Sequence, residues 1–417
     1  MKKILSAVIG TALMLSSFGF TANAEMSELW GDVNGDGSVN IADAVSLQQW
    51  LINPEKSEDI TMSGDMDYDE TLSSLDLCLL RNFLLTPKKN TVRVTDTEEL
   101  KNALSTVSAG DEIVVASGEY VYSGSTAKGY MFKGETDGTA ENPIVIRCEN
   151  PEEPPVLSGT DTNSNCVFAV FGDYWIIDGL KFTNAQNGVL INNSNHTKIV
   201  NCEIYNTGSE GLHFRDDSSY NLAENCYIHN TGVVSKGYGE AIYVGSAKST
   251  TGYGFKCDYN TIRNCRLGPD VSAEHVDVKE YTTGTVIENC TFDGTGMSGE
   301  NSAKAFVNIK GNDCILRNNT GYRNGCDNIT RAFEQNNVVD GWGQNALVYG
   351  NTVYMDKALN DNGKKMYLLN AWNCSSTVWD NFMAYDGELF SVDDESDHWN
   401  YYNCNMLTYG GSSLLSY

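Results

Sequence analysis

The chain has 417 residues, more than a single globular domain usually contains, so we expect at least two units with separate hydrophobic cores. Its 55 acidic and 28 basic residues give a formal net charge of −27 at pH 7, which argues against nucleic acid or an anionic membrane as a partner. The composition is typical of a soluble extracellular protein, which can still bind an acidic polysaccharide where cations are concentrated in one groove or supplied by calcium.

Residues 1–24 have the pattern of a secretory signal peptide. Lys2 and Lys3 give a positive start, residues 4–20 form an apolar run, and the small residues around Asn23 form a cleavage site. A membrane anchor is the alternative, but the run is short and interrupted by Ser and Gly, and no other segment approaches the ~20 apolar residues of a membrane span. We therefore expect a secreted protein whose mature chain begins near Glu25.

Residues 32–43 have the spacing of an EF-hand calcium loop. Its predicted ligands, at loop positions 1, 3, 5, 7, 9 and 12, are Asp32, Asn34, Asp36, Ser38, Asn40 and Asp43. Position 7 contributes its backbone carbonyl, and Gly37 at position 6 permits the sharp turn. Ca²⁺ is a hard cation that prefers such an oxygen cage, so the segment predicts a calcium site.

A second loop of the same spacing follows. Its predicted ligands are Asp65, Asp67, Asp69, Thr71, Ser73 and Asp76. Glu70 stands where the glycine is expected, which predicts a strained or weaker site because a residue with Cβ resists positive φ. Apolar residues at helical spacing in residues 44–51 and 77–85 predict one helix after each loop.

The duplicated loop and helix over residues 30–86 resemble the dockerin modules of cellulosomal enzymes, since position 12 is Asp and each loop precedes one helix. The resemblance implies a cohesin of a scaffoldin as the partner, and a location in a cellulosome or cell-surface complex. It also implies that loop positions 10 and 11 face the cohesin; these are Ile41, Ala42, Ser74 and Leu75. A calcium-stabilised module without a partner is the alternative. Residues 87–91 are interpreted as a linker.

Residues 92–417 contain short β-rich runs with a repeat in the twenties, which predicts a solenoid. The repeat is visible at Asn201-Cys202, Asn225-Cys226, Asn264-Cys265, Asn289-Cys290 and Asp313-Cys314, whose cysteines lie 24, 39, 25 and 24 residues apart. We interpret these cysteines as small buried residues stacked in one interior column, with disulfides as the alternative that export would permit.

The fold expected for this region is all-β, a right-handed parallel β-helix of the pectin-lyase-like kind. Residues 97–107 predict a helix that caps its open apolar end. Residues 143–147 and 174–182 resemble the opening turns of pectate-lyase-like β-helices. A β-sandwich is the alternative fold.

Four runs of this region superimpose when their apolar residues are aligned. They are residues 212–215, 242–245, 276–279 and 307–310, and the first and third residue of each should point inward. The outward residues then form two columns, His213, Tyr243, Asp277 and Asn308 in one and Arg215, Gly245, Lys279 and Lys310 in the other. Stacked cations repel each other, so an anionic substrate is expected there. The alternative is a solvated face on which Asp277, Glu274 and Glu280 offset the cations.

Residues 239–246 (GEAIYVGS), 274–279 (EHVDVK), 285–292 (TVIENCTF) and 307–312 (VNIKGN) together resemble the core of the chondroitinase B and alginate lyase family. The resemblance implies that Lys279 is the catalytic base, that Lys310 takes the place of an assisting Arg, and that Glu274 binds calcium. Ser272 occupies the position of a second acidic ligand, so Asp277, Glu240 or Asn260 would have to replace it.

We therefore expect a polysaccharide lyase with a monomeric catalytic module that cleaves a plant uronate polymer, pectate first, by β-elimination. The predicted catalytic residues are Lys279, Lys310, Arg215 and His213, the substrate-binding residues are Tyr243, His275 and Asn308, and the calcium ligands are Glu240, Glu274 and Asp277. The base must be unprotonated, which a calcium ion and Lys310 favour and Asp277 and Glu280 oppose. The alternatives are a β-helix glycoside hydrolase acting on pectin or hemicellulose, and a non-catalytic glycan-binding component.

Other side chains of the β-helix region are candidates for extending a sugar-binding groove. The aromatic ones are Tyr243, Tyr281, Trp342, Tyr367 and Trp372, each of which could equally be a packing residue. Arg331 and Glu334 are expected near loop turns, and the acidic cluster at residues 393–397 is interpreted as a solvated loop.

Overall fold

A computed structural model of the chain divides into two compact units, Met1–Pro87 and Lys88–Tyr417. The structure describes residues 31–36, 38–55, 60–67, 69, 71–85, 90–122, 124, 129–356, 363, 366–384, 388–392, 400–402, 405–407 and 414–416, with side chains described up to Ala384. The predicted signal peptide, Gly37, Glu70, most of the linker and the acidic cluster at 393–397 lie outside the described residues. In the described part of the chain, no helix is long and apolar enough to cross a membrane.

The first unit contains the two predicted helices, α1 (Ile41–Ile52) and α2 (Ser74–Leu85), and a short 3-10 helix at Met62–Gly64. Helix α1 begins earlier than its apolar pattern suggested because Asn40 caps it: the Asn40 side chain accepts from the Ala42 N–H, and Asp43 accepts from the Asn40 N–H. The core of the unit consists of Val33, Ala44, Leu47, Met66 and Leu80.

In its described residues, the second unit contains one α-helix, two 3-10 helices (Lys236–Tyr238 and Glu300–Ser302) and many short strands. Helix α3 is Thr97–Thr106. The strands, in chain order, are β1 (Thr91–Val94), β2 (Glu112–Val115), β3 (Glu119–Val121), β4 (Tyr130–Gly134), β5 (Ile144–Cys148), β6 (Val156–Ser158), β7 (Cys166–Val170), β8 (Trp175–Asp178), β9 (Lys181–Ala185), β10 (Asn187–Asn192), β11 (Lys198–Val200), β12 (Glu203–Thr207), β13 (Leu212–Arg215), β14 (Leu222–Glu224), β15 (Tyr227–His229), β16 (Ile242–Val244), β17 (Thr261–Arg263), β18 (Arg266–Leu267), β19 (Val276–Val278), β20 (Val286–Glu288), β21 (Thr291–Asp293), β22 (Val307–Ile309), β23 (Ile315–Arg317), β24 (Thr320–Tyr322), β25 (Arg331–Asn336), β26 (Ala346–Tyr349), β27 (Thr352–Tyr354), β28 (Tyr367–Trp372), β29 (Ser376–Trp379), β30 (Phe382–Ala384), β31 (Glu388–Val392), β32 (Asn400–Tyr402), β33 (Asn405–Leu407) and β34 (Leu414–Ser416).

These strands form three sheets, which we call A, B and C. Sheet A has the order β1-β2-β5-β8-β11-β14-β17-β20-β23-β26-β29-β32, sheet B β3-β6-β9-β12-β15-β18-β21-β24-β27-β30-β33-β34, and sheet C β4-β7-β10-β13-β16-β19-β22-β25-β28-β31. Neighbouring strands are parallel, except that β34 runs antiparallel to β33. Each full coil adds one strand to each sheet, so the chain is a right-handed parallel β-helix, as predicted.

Helix α3 lies at the N-terminal end of the coil and buries one apolar face there. Asp96 caps it by accepting from the N–H groups of Glu98 and Glu99. Leu100, Ala103 and Leu104 are buried in the same core as the first strands. The predicted cap is therefore confirmed, and it separates the interior of the first coil from water.

The Asn-Cys repeat marks the corner between sheets A and B. Asn201, Asn225, Asn264 and Asn289 each adopt a left-handed backbone, with φ of 54–56°, which Asn tolerates better than most residues. The following cysteines, Cys202, Cys226, Cys265 and Cys290, are buried as free thiols. These four thus confirm the predicted interior column.

Cys314 does not belong to that column, so this part of the prediction is wrong. It directly precedes the sheet A strand β23, whereas the other four cysteines follow sheet A strands. Cys314 fits the spacing of the other cysteines because two different corners of the coil share the same local pattern. In this pattern, a residue with a left-handed backbone precedes a small buried residue. The cysteine column instead continues through Asn319, Asn351 and Asn381, whose amides bond from coil to coil.

Candidate active site

The outer face of sheet C carries the predicted site residues in the expected register. Strands β13, β16, β19 and β22 are consecutive neighbours, and Tyr243 pairs with His213 on one side and Asp277 on the other. Asn308 follows Asp277. The first and third residues of each run are buried, which leaves the alternate side chains on the outer face.

Lys279 and Lys310 do not simply repel each other, because Asp277 lies between them. The Lys279 Nζ is 2.6 Å from Asp277 Oδ2, and the Lys310 Nζ is 2.5 Å from Asp277 Oδ1. Burial disfavours the charge on Lys279, but Asp277 outweighs it and raises the pKa of Lys279 above its ordinary value. Burial likewise opposes ionisation of Asp277, and the two lysines lower its pKa. Of the two carboxylates expected to oppose deprotonation of Lys279, Asp277 is in direct contact with its amine.

Three buried carboxylates converge beside this ion pair. Glu240, Glu274 and Asp277 each offer an oxygen atom, and these atoms lie within 4.8 Å of one another. The Glu240 Oε2 is buried and has no hydrogen-bond partner among the described residues, and Asn308 Nδ2 lies 3.4 Å from Glu274 Oε1. Such a set of hard oxygen donors fits a divalent cation of the calcium type.

The protonation of these carboxylates reflects their crowding. Burial, reinforced by neighbouring carboxylates, raises the pKa of Glu240 well above its ordinary range. Burial and Asp277 raise the pKa of Glu274 to about 7. A bound cation would reverse both shifts, because it favours the ionised form.

Two further residues proposed for this site do not reach it. Asn260 is completely buried, and its side chain donates to the Ser218 carbonyl, so the suggestion that it replaces a calcium ligand is wrong. His275 is completely buried between Phe292 and Phe306, and its Nε2 donates to the Asp293 carbonyl over 2.7 Å. The prediction that His275 binds substrate is therefore wrong, because that side chain points inward, between two apolar rings.

Tyr243 lies next to Lys279 and is held by His213. The Lys279 Nζ is 4.7 Å from the centroid of the Tyr243 ring, and the His213 ring meets the same ring edge-on at 4.6 Å. Burial raises the pKa of the Tyr243 hydroxyl and keeps it protonated. Burial also lowers the pKa of His213 to about 3, and its Nε2 donates to the Gly245 carbonyl. His213 is thus a neutral positioning residue, and the prediction that it is catalytic is not supported by its contacts.

Arg215 extends away from Lys279. It lies two strands from the Lys279 coil, and its Nε donates to Asn192 Oδ1 over 2.8 Å, on the strand that is one step further away. Two strand steps amount to about 9.6 Å along the sheet. The prediction that Arg215 is catalytic is therefore wrong for a proton transfer at Lys279.

Glu210, which was not among the predicted site residues, shares a column with two of the three clustered carboxylates. The register of β13, β16 and β19 places Glu210, Glu240 and Glu274 at equivalent positions of successive coils. The Glu210 side chain accepts from Asn187 Nδ2, and burial raises its pKa. Extending the four aligned runs by two residues toward the N-terminus would have revealed this column. Glu280, by contrast, faces the other way and accepts from the Lys248 N–H.

The remaining groove candidates are distributed over the C-terminal coils. Arg331 and Glu334 lie on β25 rather than in loops and form an ion pair of 2.8 Å. Trp372 ends β28 and is 62% exposed. Tyr281 and Trp342 pack edge-to-face against each other at 5.5 Å, so their ring edges are partly occupied.

The two loops of the first unit have matching internal geometry. Asp43 accepts from the N–H groups of Asn34 and Asn40, and Asp76 accepts from those of Met66 and Ser73. Although burial opposes it, the donors of Ser73 and Met66 lower the pKa of Asp76. In the second loop, oxygen atoms of Asp65, Asp67 and Asp76 lie within 4.8 Å of one another. These donor sets fit the predicted calcium sites.

Comparisons with known proteins agree with both units. A family model described as "Pel9A-like, right handed beta helix region" matches residues 87–377, and one described as "Dockerin type I domain" matches residues 30–85. A solved alginate lyase from Paenibacillus sp. str. FPU-7 is 42% identical, with a TM-score of 0.64, over 75% of this chain and 98% of that chain. Pectate lyase L of Dickeya dadantii (strain 3937) is 24% identical over 339 residues, which cover 71% of this chain and 75% of the relative. The solved pectate lyase Pel9A, 16% identical with a TM-score of 0.55 over 75% of this chain and 79% of that one, shares the fold.

Proposed function

The chain belongs to the family of Pel9A-like right-handed β-helices, and we propose that this polysaccharide lyase cleaves a uronate polymer by β-elimination on the outer face of sheet C. One observation carries the proposal: an amine and a phenol, Lys279 and Tyr243, lie side by side next to a cluster of buried carboxylates. This arrangement supplies a base, an acid and a cation site within one small area of the sheet.

In the proposed reaction, the Lys279 Nζ removes the C5 proton of a uronate. The electrons form the C4–C5 double bond, and the C4–O4 bond breaks. The Tyr243 hydroxyl donates its proton to the leaving O4, and its position beside Lys279 lets the lysine return a proton to the phenolate afterwards. Lys310 neutralises Asp277 from the next coil and so holds the carboxylate in place.

The three carboxylates Glu240, Glu274 and Asp277 are the proposed calcium ligands of this site. A bound calcium ion would add positive charge that favours the neutral Lys279 amine and attracts the substrate carboxylate. Asn308 contacts Glu274 and Asn336 and orients the edge of this cluster. Asn308 is buried, so its proposed role is to position the carboxylate of Glu274.

Alginate is the substrate that we place first. The relative with 42% identity is titled an alginate lyase, and the chain covers 98% of it. Pectate, the polymer expected from the sequence, is the second candidate, because the curated relatives are named pectate lyases. Both polymers offer the acidic C5 proton next to a carboxylate that this chemistry requires.

We further propose that residues 30–85 attach the enzyme to a cohesin of a scaffoldin outside the cell. The dockerin match supports this, as do the exposed apolar side chains at loop positions 10 and 11. Ile41 is 70% exposed and Leu75 is 53% exposed, although both lie in the first turns of helices whose other faces are buried.

The proposal is tested by incubating the protein with alginate, polygalacturonate and chondroitin, with and without calcium. Unsaturated product is followed by its ultraviolet absorbance. We expect absorbance to rise with alginate, and reducing ends without absorbance would instead indicate a hydrolase. No cleavage of any polymer, with binding retained, would indicate a glycan-binding protein.

Variants of the two central residues test the assignment of roles. Lys279→Met and Tyr243→Phe should each lower kcat at least about a hundredfold, because each removes a proton-transfer group. Lys181→Met is the matched control, since Lys181 forms a surface ion pair with Glu203 on sheet B. Unchanged kcat in Lys279→Met, with the fold intact by circular dichroism, would refute the assignment.

A further inference from the structure

Arg215 differs from the other cations on the outer face of sheet C in its partners. Lys133 pairs with Glu135, Lys279 and Lys310 pair with Asp277, and Arg331 pairs with Glu334. For Arg215, the structure shows no carboxylate within ion-pair distance among the described residues. Its guanidinium instead contacts three neutral groups, which are Asn192 Oδ1 at 2.8 Å, the Tyr130 hydroxyl at 3.2 Å and the Tyr253 ring at 4.0 Å.

This half-buried charge is held in a fixed place. Asp216 makes two hydrogen bonds that position the groups around the Arg215 guanidinium. It accepts from Asn192 Nδ2 over 3.1 Å and from the Gly254 N–H over 2.7 Å. The second bond anchors the loop that carries Tyr253 above the guanidinium. Glycine at position 254 lets the loop pass close to Asp217, because a Cβ there would lie 2.1 Å from the Asp217 carboxylate and would displace it. A charge prepared in this way loses little conformational entropy when it binds an anion.

The register places Gly245 between Arg215 and Lys279 in the same outward column, so no charged side chain separates the two cations along that column. Gly245 itself is buried beside Thr282 and the stem of Lys279. The Arg215 backbone lies two strand spacings, about 9.6 Å, from the Lys279 backbone, and the Arg215 guanidinium reaches toward Asn192 on the strand beyond. One strand spacing is close to the length of one sugar in an extended polysaccharide. A chain lying along the coil axis would therefore place a second uronate, two or three sugars from the reacting one, next to the Arg215 guanidinium.

We propose that Arg215 is a substrate-binding residue that takes the carboxylate of a uronate two or three sugars away from the one whose C5 proton faces Lys279. The guanidinium has N–H groups beyond those given to Asn192 and Tyr130, and a planar fork of donors suits a carboxylate. The Tyr253 ring covers one face of the guanidinium. The inference rests on the proposed lyase function and adds the direction in which the substrate lies on the sheet.

Uronate oligosaccharides of increasing length test the inference with Arg215→Gln and Tyr253→Ala. On oligomers long enough to reach Arg215, we expect Arg215→Gln to raise KM roughly 10- to 100-fold, the range of one lost charge-assisted hydrogen bond, with kcat nearly unchanged. On the shortest oligomers that are still cleaved, KM should not change. Tyr253→Ala should give a smaller increase with the same length dependence. Arg263→Gln, which removes an exposed ion pair with Glu224 on sheet A, is the matched control.

The outcomes separate this inference from the proposed function. A loss of kcat that is equal at all lengths would overturn the inference and make Arg215 part of the proton-transfer site. An unchanged KM on long oligomers would overturn it as well. If the wild type cleaves no uronate polymer, the lyase proposal fails, and calorimetric titration with oligouronates still decides the inference. Weaker binding by Arg215→Gln than by Arg263→Gln would support the subsite, and equal binding would overturn it.

Discussion

The buried histidines illustrate how single residues of this coil depend on pH. His275 is fully buried, its Nε2 donates to the Asp293 carbonyl, and its Nδ1 has no partner in the described structure. Burial lowers the pKa of His275 to about 4, because a second N–H would enter an apolar site without an acceptor. The neutral form is therefore part of the native packing.

This predicts a loss of stability on acidification. The unfolded chain binds a proton at His275 below about pH 6.5, whereas the folded chain does so only near pH 4. Stability contributed by the neutral ring is thus complete above about pH 6.5 and falls by on the order of 3 kcal/mol down to pH 4. His275→Gln keeps a donor for the Asp293 carbonyl and cannot titrate, so its stability should change less over this range.

Urea unfolding at several pH values measures this difference. His196→Gln is the control, since the His196 ring is exposed and stacks between Tyr174 and Tyr220. Parallel stability curves for the wild type and His275→Gln would contradict the prediction.

At the scale of elements, the corner between sheets A and B is occupied by two types of buried side chain, cysteine and asparagine. Four coils place a cysteine there, and the later coils place Asn319, Asn351 and Asn381. The Asn351 Oδ1 accepts from the Asn319 backbone and side chain, each over 3.0 Å, and its Nδ2 donates to the Leu316 carbonyl. The Asn351 Nδ2 also donates to Asn381 Oδ1 on the following coil over 2.8 Å, so this buried amide is bonded to the coils on both sides.

Asn351→Ala should destabilise the β-helix by about 3 kcal/mol, because it leaves several buried polar groups without partners. Asn225→Gly is the matched control at the same kind of corner. Asn225 is exposed and has a φ of 54°, which glycine adopts freely, so its replacement should change stability by less than about 0.5 kcal/mol. Chemical denaturation compares the two, and equal effects would show that the buried amide is not what links the coils.

The register of sheet C could be predicted from the sequence, whereas the positions of residues at the corners of the coil could not. Alternating apolar residues around Tyr243 and Asp277 determine which side chains face outward, because a strand has a period of two. A small residue that follows a residue with a left-handed backbone, as Cys314 does, occurs at more than one corner of the coil. The local motif therefore does not determine at which corner such a residue lies. The direction of the His275 side chain was also predicted wrongly. His275 directly precedes β19, so it lies outside the inward and outward alternation of that strand. The directions of Arg215 and Glu280 depend on partners dozens of residues away in the sequence.

At the scale of the whole molecule, the two units have separate cores and different sources of stability. The core of the first unit is small, and its two loops bring several carboxylates together, as at Asp65, Asp67 and Asp76. The β-helix has a continuous core from Val94 to Met383 and three sheets of hydrogen bonds. A small domain with clustered acidic groups depends on its bound cation, whereas a long coil does not.

Calcium removal should therefore separate the unfolding of the two units. With a chelator present, we expect the calorimetric transition of the first unit to move down by roughly 10 °C or more, since a ligand at 100 times its Kd adds about 2.7 kcal/mol to a domain of this size. The β-helix transition should move much less, because Glu240, Glu274 and Asp277 lie in a frame that its core already holds. Asp43→Ala should reproduce the shift of the first transition in calcium, and Glu149→Gln, which changes an exposed carboxylate paired with Arg93, should not. A single transition that moves as a whole would mean that the units unfold together, and it would contradict the independence of their cores.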